Sequence, residues 1–373
     1  MILFIQIIII LIYFFILIWF SNSIYYHNNK NNQEQDYFPN VSILIAARNE
    51  YQNLSKLLNA LIEQNYPINK YQIIVINDRS TDDSRKLLEF FQKKLTNLKL
   101  IHINKTPLGW SNKKWALTQG VKNANSDIIL QTDADCTPSP NWIKTMVSYF
   151  KNKNVGFVCG ASPLTHQDPL LNKIFQMESL IQESINAGAI KNNLFVSCTG
   201  RNISFRKKYF TLIEGYTGNE SIVSGDDDLL LQKFALETDS LIKYSIDSDS
   251  LIESPAPSTF KSFLKQRFRF ASKGLLYYQI KTTTELKLIS LLLIFSNFVF
   301  VLSIFLLISI GNLLYLIPIS IKMISDFILS TVFLTKVGRD WSLSAFLILT
   351  CLHPFYILIF GLLGPFIKVD WRK

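Results

Sequence analysis

The chain has 373 residues, enough for one large soluble domain and a membrane region, and 28 of them are Phe. Its formal charge of +10 does not carry a nucleic-acid reading, because Lys and Arg are spread through the polar part and the flanks of apolar runs without an aromatic-interleaved basic repeat. The four cysteines, Cys136, Cys159, Cys198 and Cys351, form no CxxC pair or close cluster, which fits a reducing compartment and argues against structural zinc.

Residues 2–20 carry no charge and reach the roughly 20 residues that cross a hydrocarbon core. Ser21-Asn22-Ser23 has the pattern of a signal-peptide cleavage site. The run nevertheless lacks a basic leader and exceeds the usual apolar region of a signal, so residues 1–22 read as an uncleaved anchor. No Lys or Arg precedes the span and Lys30 follows it, which places Asn28 onward in the cytoplasm. Residues 23–37 are polar and read as a linker. VSILIAA (41–47) is a buried β-branched run, 49–64 has helical spacing, YQIIVIND (71–78) is a second strand and 84–95 a second helix. LKLIHIN (98–104) is a third strand, 113–123 a helix, and DIILQTDAD (127–135) a fourth strand. This alternation predicts βαβ units in a mostly parallel sheet covered by helices, with ligands outside the carboxyl ends of the strands. Asn49, Glu50, Asp78, Asp133 and Asp135 all fall there, and no GxGxxG follows any strand.

Residues 224–234 (SGDDDLLLQKF) read as the start of a helix carrying three consecutive acids, for which capping is the plain structural role. From about 260 to 285 the chain is basic and aromatic, as an interfacial amphipathic helix would be. Uncharged residues 288–310 and the stretches 313–335 and 343–367 read as about three further spans. Lys322 and Asp326 lie one helical turn apart in the middle one, where a structural ion pair is favoured over a transport role. Three spans would put Lys368, Arg372 and Lys373 outside, against the positive-inside rule, so the topology after residue 311 stays open.

Asp133-Ala134-Asp135 is the strongest chemical signal. Two carboxylates one small residue apart can share Mg²⁺ or Mn²⁺ when a substrate diphosphate completes the shell. A DxD triplet alone marks many solvated turns. Here VSILIAARNE, IIVINDRSTDDS, GWSNKKWAL and IILQTDADC follow in one order, and this set resembles the family 2 glycosyltransferases of GT-A fold over roughly residues 40 to 275. The resemblance implies that Glu50 and Asp78 hold the donor nucleoside, although Asn77 stands where the family commonly has a second Asp. It places Lys113 near the donor diphosphate, with Lys114 as an alternative, Asp133 near the ribose or sugar, and Asp135 on the metal. For Glu50, a helix N-terminal acid favoured by the dipole is the structural alternative.

The family's Thr-Glu-Asp-x-Asp-Leu pattern, aligned on Leu229, implies Asp226 as the base that deprotonates the acceptor hydroxyl, with Gly225 replacing Glu; a one-place shift would make it Asp227. A single base without a nucleophile implies inversion. TGRNISFRKKYF (199–210) resembles the segment lining the acceptor side and puts Asn202 there. Gln266-Arg267-Phe268-Arg269-Phe270 resembles the Gln-x-x-Arg-Trp signature of processive synthases. Arg269 would face the departing diphosphate and Phe270 the acceptor, but Phe in place of Trp leans away from chain elongation.

The expectation is therefore an integral membrane α/β protein of GT-A fold: anchor 1–22, linker 23–37, catalytic domain 38–260, interfacial segment 261–286, membrane region 287–367 and tail 368–373. It would transfer a sugar from a nucleotide-diphosphate donor, a UDP-sugar first, to a lipid or saccharide at the cytoplasmic face of the plasma (inner) membrane, with no nucleic-acid partner. A processive synthase subunit and an inactive scaffold that binds nucleotide sugars are the rival readings.

Overall fold

The computed structural model describes residues 1–26 and 37–367; most of the predicted linker, with Lys30, and the tail 368–373 lie outside them. In chain order the elements are α1 (Ile2–Tyr25), β1 (Val41–Ala47), α2 (Tyr51–Ile62), β2 (Tyr71–Asp78), α3 (Ser84–Lys94), β3 (Leu98–Ile103), α4 (Asn112–Asn123) and β4 (Ile128–Asp133). These follow the predicted βαβ alternation. Next come β5 (Thr137–Pro138), α5 (Trp142–Ser148), β6 (Val155–Gly160), β7 (Leu164–Thr165), α6 (Pro169–Lys191), β8 (Ile203–Arg206), α7 (Lys207–Leu212), α8 (Asp228–Glu237), β9 (Leu241–Ser245) and β10 (Ile252–Pro255). Helices α9 (Phe260–Ala271), α10 (Leu276–Gln279), α11 (Thr284–Ile310), α12 (Leu316–Lys336) and α13 (Leu343–Leu363) complete the chain.

Two compact units share these elements. One comprises 37–163 and Ser197–Pro255. It holds a seven-stranded sheet of order β3-β2-β1-β4-β8-β6-β9. Strands β1 to β4 pair in parallel, β8 runs antiparallel to both β4 and β6, and β9 is parallel to β6. The sheet is thus mostly parallel, as expected, with β8 as its antiparallel strand, and its parallel half carries the predicted strand ends. Central strands are buried on both faces: Ile43 and Ile45, with Ile73 and Val75, are inaccessible on one, and Leu44, Ile74 and Ile76 on the other, which is why they read as continuous apolar runs rather than as alternation. Gly120 lets α4 lie close on the sheet, since a Cβ there would stand 2.9 Å from Ile76 Cδ1. Arg206, at the end of β8, pins the far edge by donating to the Val155 and Phe150 carbonyls and to Asp127, 2.8 Å away.

The other unit comprises α1, Leu164–Val196 and the chain from Ala256. Four of its helices, Ile2–Tyr25, Thr284–Ile310, Leu313–Lys336 and Leu343–Leu363, are long and apolar enough to cross a membrane. Exposed Phe15, Trp19, Phe298 and Phe305 suit a lipid environment and would be costly in water. Against these spans packs α6, capped by Asp168, whose carboxylate accepts from the Leu170 and Leu171 amides, with Pro169 at the first helical position. The approach is close at Gly188, where a Cβ would meet Phe20 at 2.4 Å.

Candidate functional site

The site lies in the sheet unit, at the carboxyl ends of β1, β2 and β4. Asn49 after β1 and Ser80 and Thr81 after β2 tie the two loops together: Asn49 sits at φ 55, its amide donates to Ser80 Oγ, and its Oδ1 accepts from the Thr81 amide at 2.8 Å. Glu50 caps α2 and is nearly buried; its amide donates to Ser84 Oγ at 2.9 Å and its carboxylate accepts from Asn53 at 2.7 Å. The helix-terminal and ligand-facing roles of Glu50 are therefore both compatible with its place. Asp78 ends β2 and is inaccessible. Its Oδ1 accepts from Arg79 Nε at 2.8 Å, while its Oδ2 is buried without a hydrogen-bond partner. An orphaned buried carboxylate oxygen costs free energy that a bound N–H or O–H would recover. Arg79 reaches on to Thr106 and Asn112, coupling the end of β2 to the start of α4.

Lys113, the second residue of α4, is the hub. Its Nζ lies 2.8 Å from Asp133 Oδ1 and 2.8 Å from Asp226 Oδ2. Burial by itself would lower its pKa, but the Asp133 and Asp226 carboxylates override this and raise it well above the usual lysine value. It is an ammonium at every ordinary pH. Lys114 points elsewhere: its side chain is inaccessible and donates to the Asn219 carbonyl at 2.6 Å.

Asp133 is the last residue of β4, in register with Ala46 of β1. Two residues on, Asp135 has its pKa raised, first by burial and then by the charge of Asp133, against the opposing pull of Arg201 and Lys113. This crowding of like charge is what a divalent cation would relieve, and carboxylate oxygens are the donors that Mg²⁺ and Mn²⁺ prefer. Among the described residues no cluster of three or more acidic, His or Cys side chains is placed to hold a metal. Asp133 and Asp135 fit a cation whose remaining ligands come from a substrate.

The predicted helix at 224–234 begins only at Asp228. Gly225 is the reason. It takes φ +85, a conformation L residues rarely adopt, and a Cβ would stand 2.8 Å from Leu229. The turn sets Asp226 toward Lys113, whereas Asp227 becomes the cap of α8. Asp227 Oδ1 accepts from the Asp228 amide and Oδ2 from the Gly200 amide, each at 2.8 Å. Buried Tyr216 donates to the Asp226 backbone carbonyl at 3.2 Å. Gly200 and Arg201 were not singled out by the sequence, yet Arg201 supplies positive charge to Asp135 and Gly200 leaves room for Asp226, whose Oδ2 would lie 3.1 Å from a Cβ there. Both lie in the TGRN segment, where an Arg beside a Gly was the available signal.

Asn202 is inaccessible, and its amide is spent on the fold. It accepts from Trp142 Nε1 at 3.0 Å and donates to the Ala161 and Ser250 carbonyls at 2.8 and 2.7 Å. Gln266, Arg269 and Phe270 lie on α9, in the helical unit. Gln266 Oε1 is buried without a partner, and the Arg269 guanidinium lies 5.4 Å from the Phe270 ring centre. Arg267 between them bonds Glu178 of α6 at 2.6 Å.

Residues 42–212 match the family "Glycosyl transferase family 2". A probable glycosyltransferase of Bacillus subtilis, YdaM, is 27% identical over 84% of this chain and 73% of its own length. A β-monoglucosyldiacylglycerol synthase of Nostoc is 32% identical over 33% of this chain, which is 26% of that protein. Among solved structures, a mannosyltransferase of Pyrobaculum calidifontis, in complex with GDP-mannose and Mn²⁺, superposes with a TM-score of 0.59 over 98% of this chain and 99% of its own, at 16% identity. That likeness fixes the fold as GT-A.

Proposed function

We propose that this chain is a family 2 glycosyltransferase, a reading supported by the match over 42–212 and by the relative from Bacillus subtilis, and that it moves a sugar with inversion from a nucleotide-diphosphate donor to a hydroxyl of a membrane lipid or saccharide. The observation that carries the reading is the ammonium of Lys113 joining the end of β4 to Asp226.

Asp226 is the base. Of the adjacent acids, Asp227 is bound to two backbone amides and Asp228 accepts from the Leu229 amide. Asp226 instead bonds a side chain that a substrate can draw away. A donor diphosphate entering beside Lys113 competes with Asp226 for the ammonium, because a diphosphate carries more charge than one carboxylate. The carboxylate so released takes the proton of the acceptor hydroxyl as its oxygen forms a bond to the anomeric carbon, and the bond to the nucleotide diphosphate breaks on the opposite face. With one base and no covalent intermediate, the configuration inverts. Asp133 and Asp135 would hold Mg²⁺ or Mn²⁺, which when bound neutralises charge on the leaving diphosphate. Asp78, with its unpartnered Oδ2, and Glu50 would receive the donor nucleoside, a UDP-sugar first.

A lipid acceptor is supported by the four membrane-length helices and by the lipid-glycosylating relative. The positive charge following the first span supports a cytoplasmic active site at the inner membrane. Gln266, Arg269 and Phe270 would serve the acceptor and leaving-group side. The test is release and transfer from a panel of nucleotide sugars by the detergent-purified full chain with Mn²⁺ or Mg²⁺ and membrane lipid extract. Metal-dependent release of one nucleotide diphosphate, lost in Asp226→Asn, is expected. Undiminished turnover in that variant would remove Asp226 from the chemistry.

A further inference from the structure

The helical unit holds a largely apolar cavity, with a few ionisable groups in its wall, that the transfer chemistry does not use. It measures about 40 Å³, is partly open, and lies among α6, α12 and α13. That is room for about three or four hydroxyl-sized groups, at ~10–15 Å³ each. Glu178, Lys322 and Asp326 line it, and each is already paired, Glu178 by Arg267 from outside the lining. Arg267 meets Glu178 at 2.6 Å and Lys322 meets Asp326 at 2.8 Å. The second oxygen of each carboxylate is also taken: Tyr356 donates to Glu178 Oε1, and Tyr13 to Asp326 Oδ1 at 2.5 Å.

This pairing decides what the cavity can hold. A phosphate would face two carboxylates, Glu178 and Asp326, against Lys322, whose charge Asp326 already balances. A cation would find every carboxylate oxygen already accepting. A neutral group that both donates and accepts meets neither penalty. The wall supplies such partners. Pro354 has no amide hydrogen, so the carbonyl of Thr350, one turn earlier, loses its helical donor on the cavity wall. Lys322 keeps further N–H groups beyond the one given to Asp326, and the Thr350 hydroxyl and His353 ring line the same space. The rest of the wall is apolar, formed by Ile181, Phe346 and Leu349.

We propose that this cavity binds the uncharged, hydroxyl-bearing headgroup of a membrane lipid, its hydroxyls on the Thr350 carbonyl and side-chain hydroxyl and on the Lys322 ammonium, and its chains along the apolar wall. The site stands apart from the reaction, and binding there does not require turnover.

The probe is a diacylglycerol analogue with a photoreactive group beside its glycerol, in phosphatidylcholine nanodiscs holding the full chain. Labelling should map to α13 around Thr350 and His353 and to α6 around Ile181. Unlabelled diacylglycerol should compete and phosphatidic acid should not. Leu349→Trp, which fills the cavity, should lower labelling about tenfold. Thr350→Val, which keeps the volume, should leave the chain folded and label less than the wild type. Asp226→Asn should label as the wild type does, which separates this site from the catalytic reading. Labelling spread along the outer faces of the spans would overturn the proposal, and so would equal competition by phosphatidic acid. Should Leu349→Trp fail to fold, the competition pattern of the wild type decides.

Discussion

Asn202 is where the resemblance and the geometry ask for different experiments. As an acceptor-side residue, its loss should slow transfer and leave the fold intact. As placed, its side chain joins α5, the end of β6 and the turn before β10 through three buried hydrogen bonds. In Asn202→Ala, the Ala161 carbonyl keeps a bond from the Ile252 amide, so two groups, Trp142 Nε1 and the Ser250 carbonyl, lose this partner. At roughly 1–3 kcal/mol for each buried unsatisfied group, the cost is about 4 kcal/mol. For a unit of this size that lowers the melting temperature by roughly 8–16 °C, taking ~2–4 °C per kcal/mol. Thermal unfolding of the full chain in detergent, followed by tryptophan fluorescence, reads the shift. Transfer per folded molecule, measured below both midpoints, should fall less than threefold (a difference of ~0.6 kcal/mol). An unchanged midpoint with collapsed transfer would refute the structural role and put Asn202 on the acceptor.

Other perturbations separate neighbouring roles in the same way. Asp227→Ala removes the α8 cap and the bond to Gly200, and should cost about 1–2 kcal/mol in denaturant unfolding while retaining measurable transfer, the reverse of Asp226→Asn. The raised pKa of Asp135 has a definite sign: above its unfolded pKa, the folded chain binds the proton more tightly than the unfolded chain, so this group costs stability as pH rises through that window. Asp135→Asn should therefore raise the melting temperature of metal-free protein at neutral pH and lose that advantage in acid; destabilisation at neutral pH without metal would contradict the charge-crowding account. Glu178→Ala strands the Arg267 guanidinium, whose side chain is only 8% exposed, and should cost ~3–5 kcal/mol. The double variant Glu178→Ala/Arg267→Met should recover part of it, as a double-mutant cycle would show.

Where the sequence carried a strong period, its reading and the structure agree closely. Strands β1 and β2 fall on the predicted residues because buried parallel strands are unbroken β-branched runs, and the acids at their ends, Glu50 and Asp78, stand out in sequence against those runs although both are buried. The second half of the sheet was not legible. Strands β8 and β9 have four and five residues, too short to show a period, and their antiparallel and parallel pairings join segments separated by α6. Helix α6 itself mixes Glu178, Glu183 and Asn186 into its buried face, so no apolar stripe announces it. The aspartate triplet was visible as chemistry, but what separates Asp226 from Asp227 is the backbone angle at Gly225, which one sequence states only as an exception to a pattern.

The order of β8 in the chain has a consequence for biogenesis. The chain leaves the sheet unit at 163–164, makes α6, and returns at 196–197 to lay β8 between β4 and β6. A ribosome therefore delivers α6 before the sheet can close, and long before α12 and α13, which cover α6, have been synthesised. Until then, α1 packs on α6, while the face carrying Met177, which Ala345, Phe346 and Leu349 of α13 cover in the finished fold, stands open. The nascent enzyme is thus held to its first helix while it folds. A fragment ending at Pro255, and so without α9 to α13, would keep every strand and α6 and still expose that face, so it should aggregate where the full chain does not.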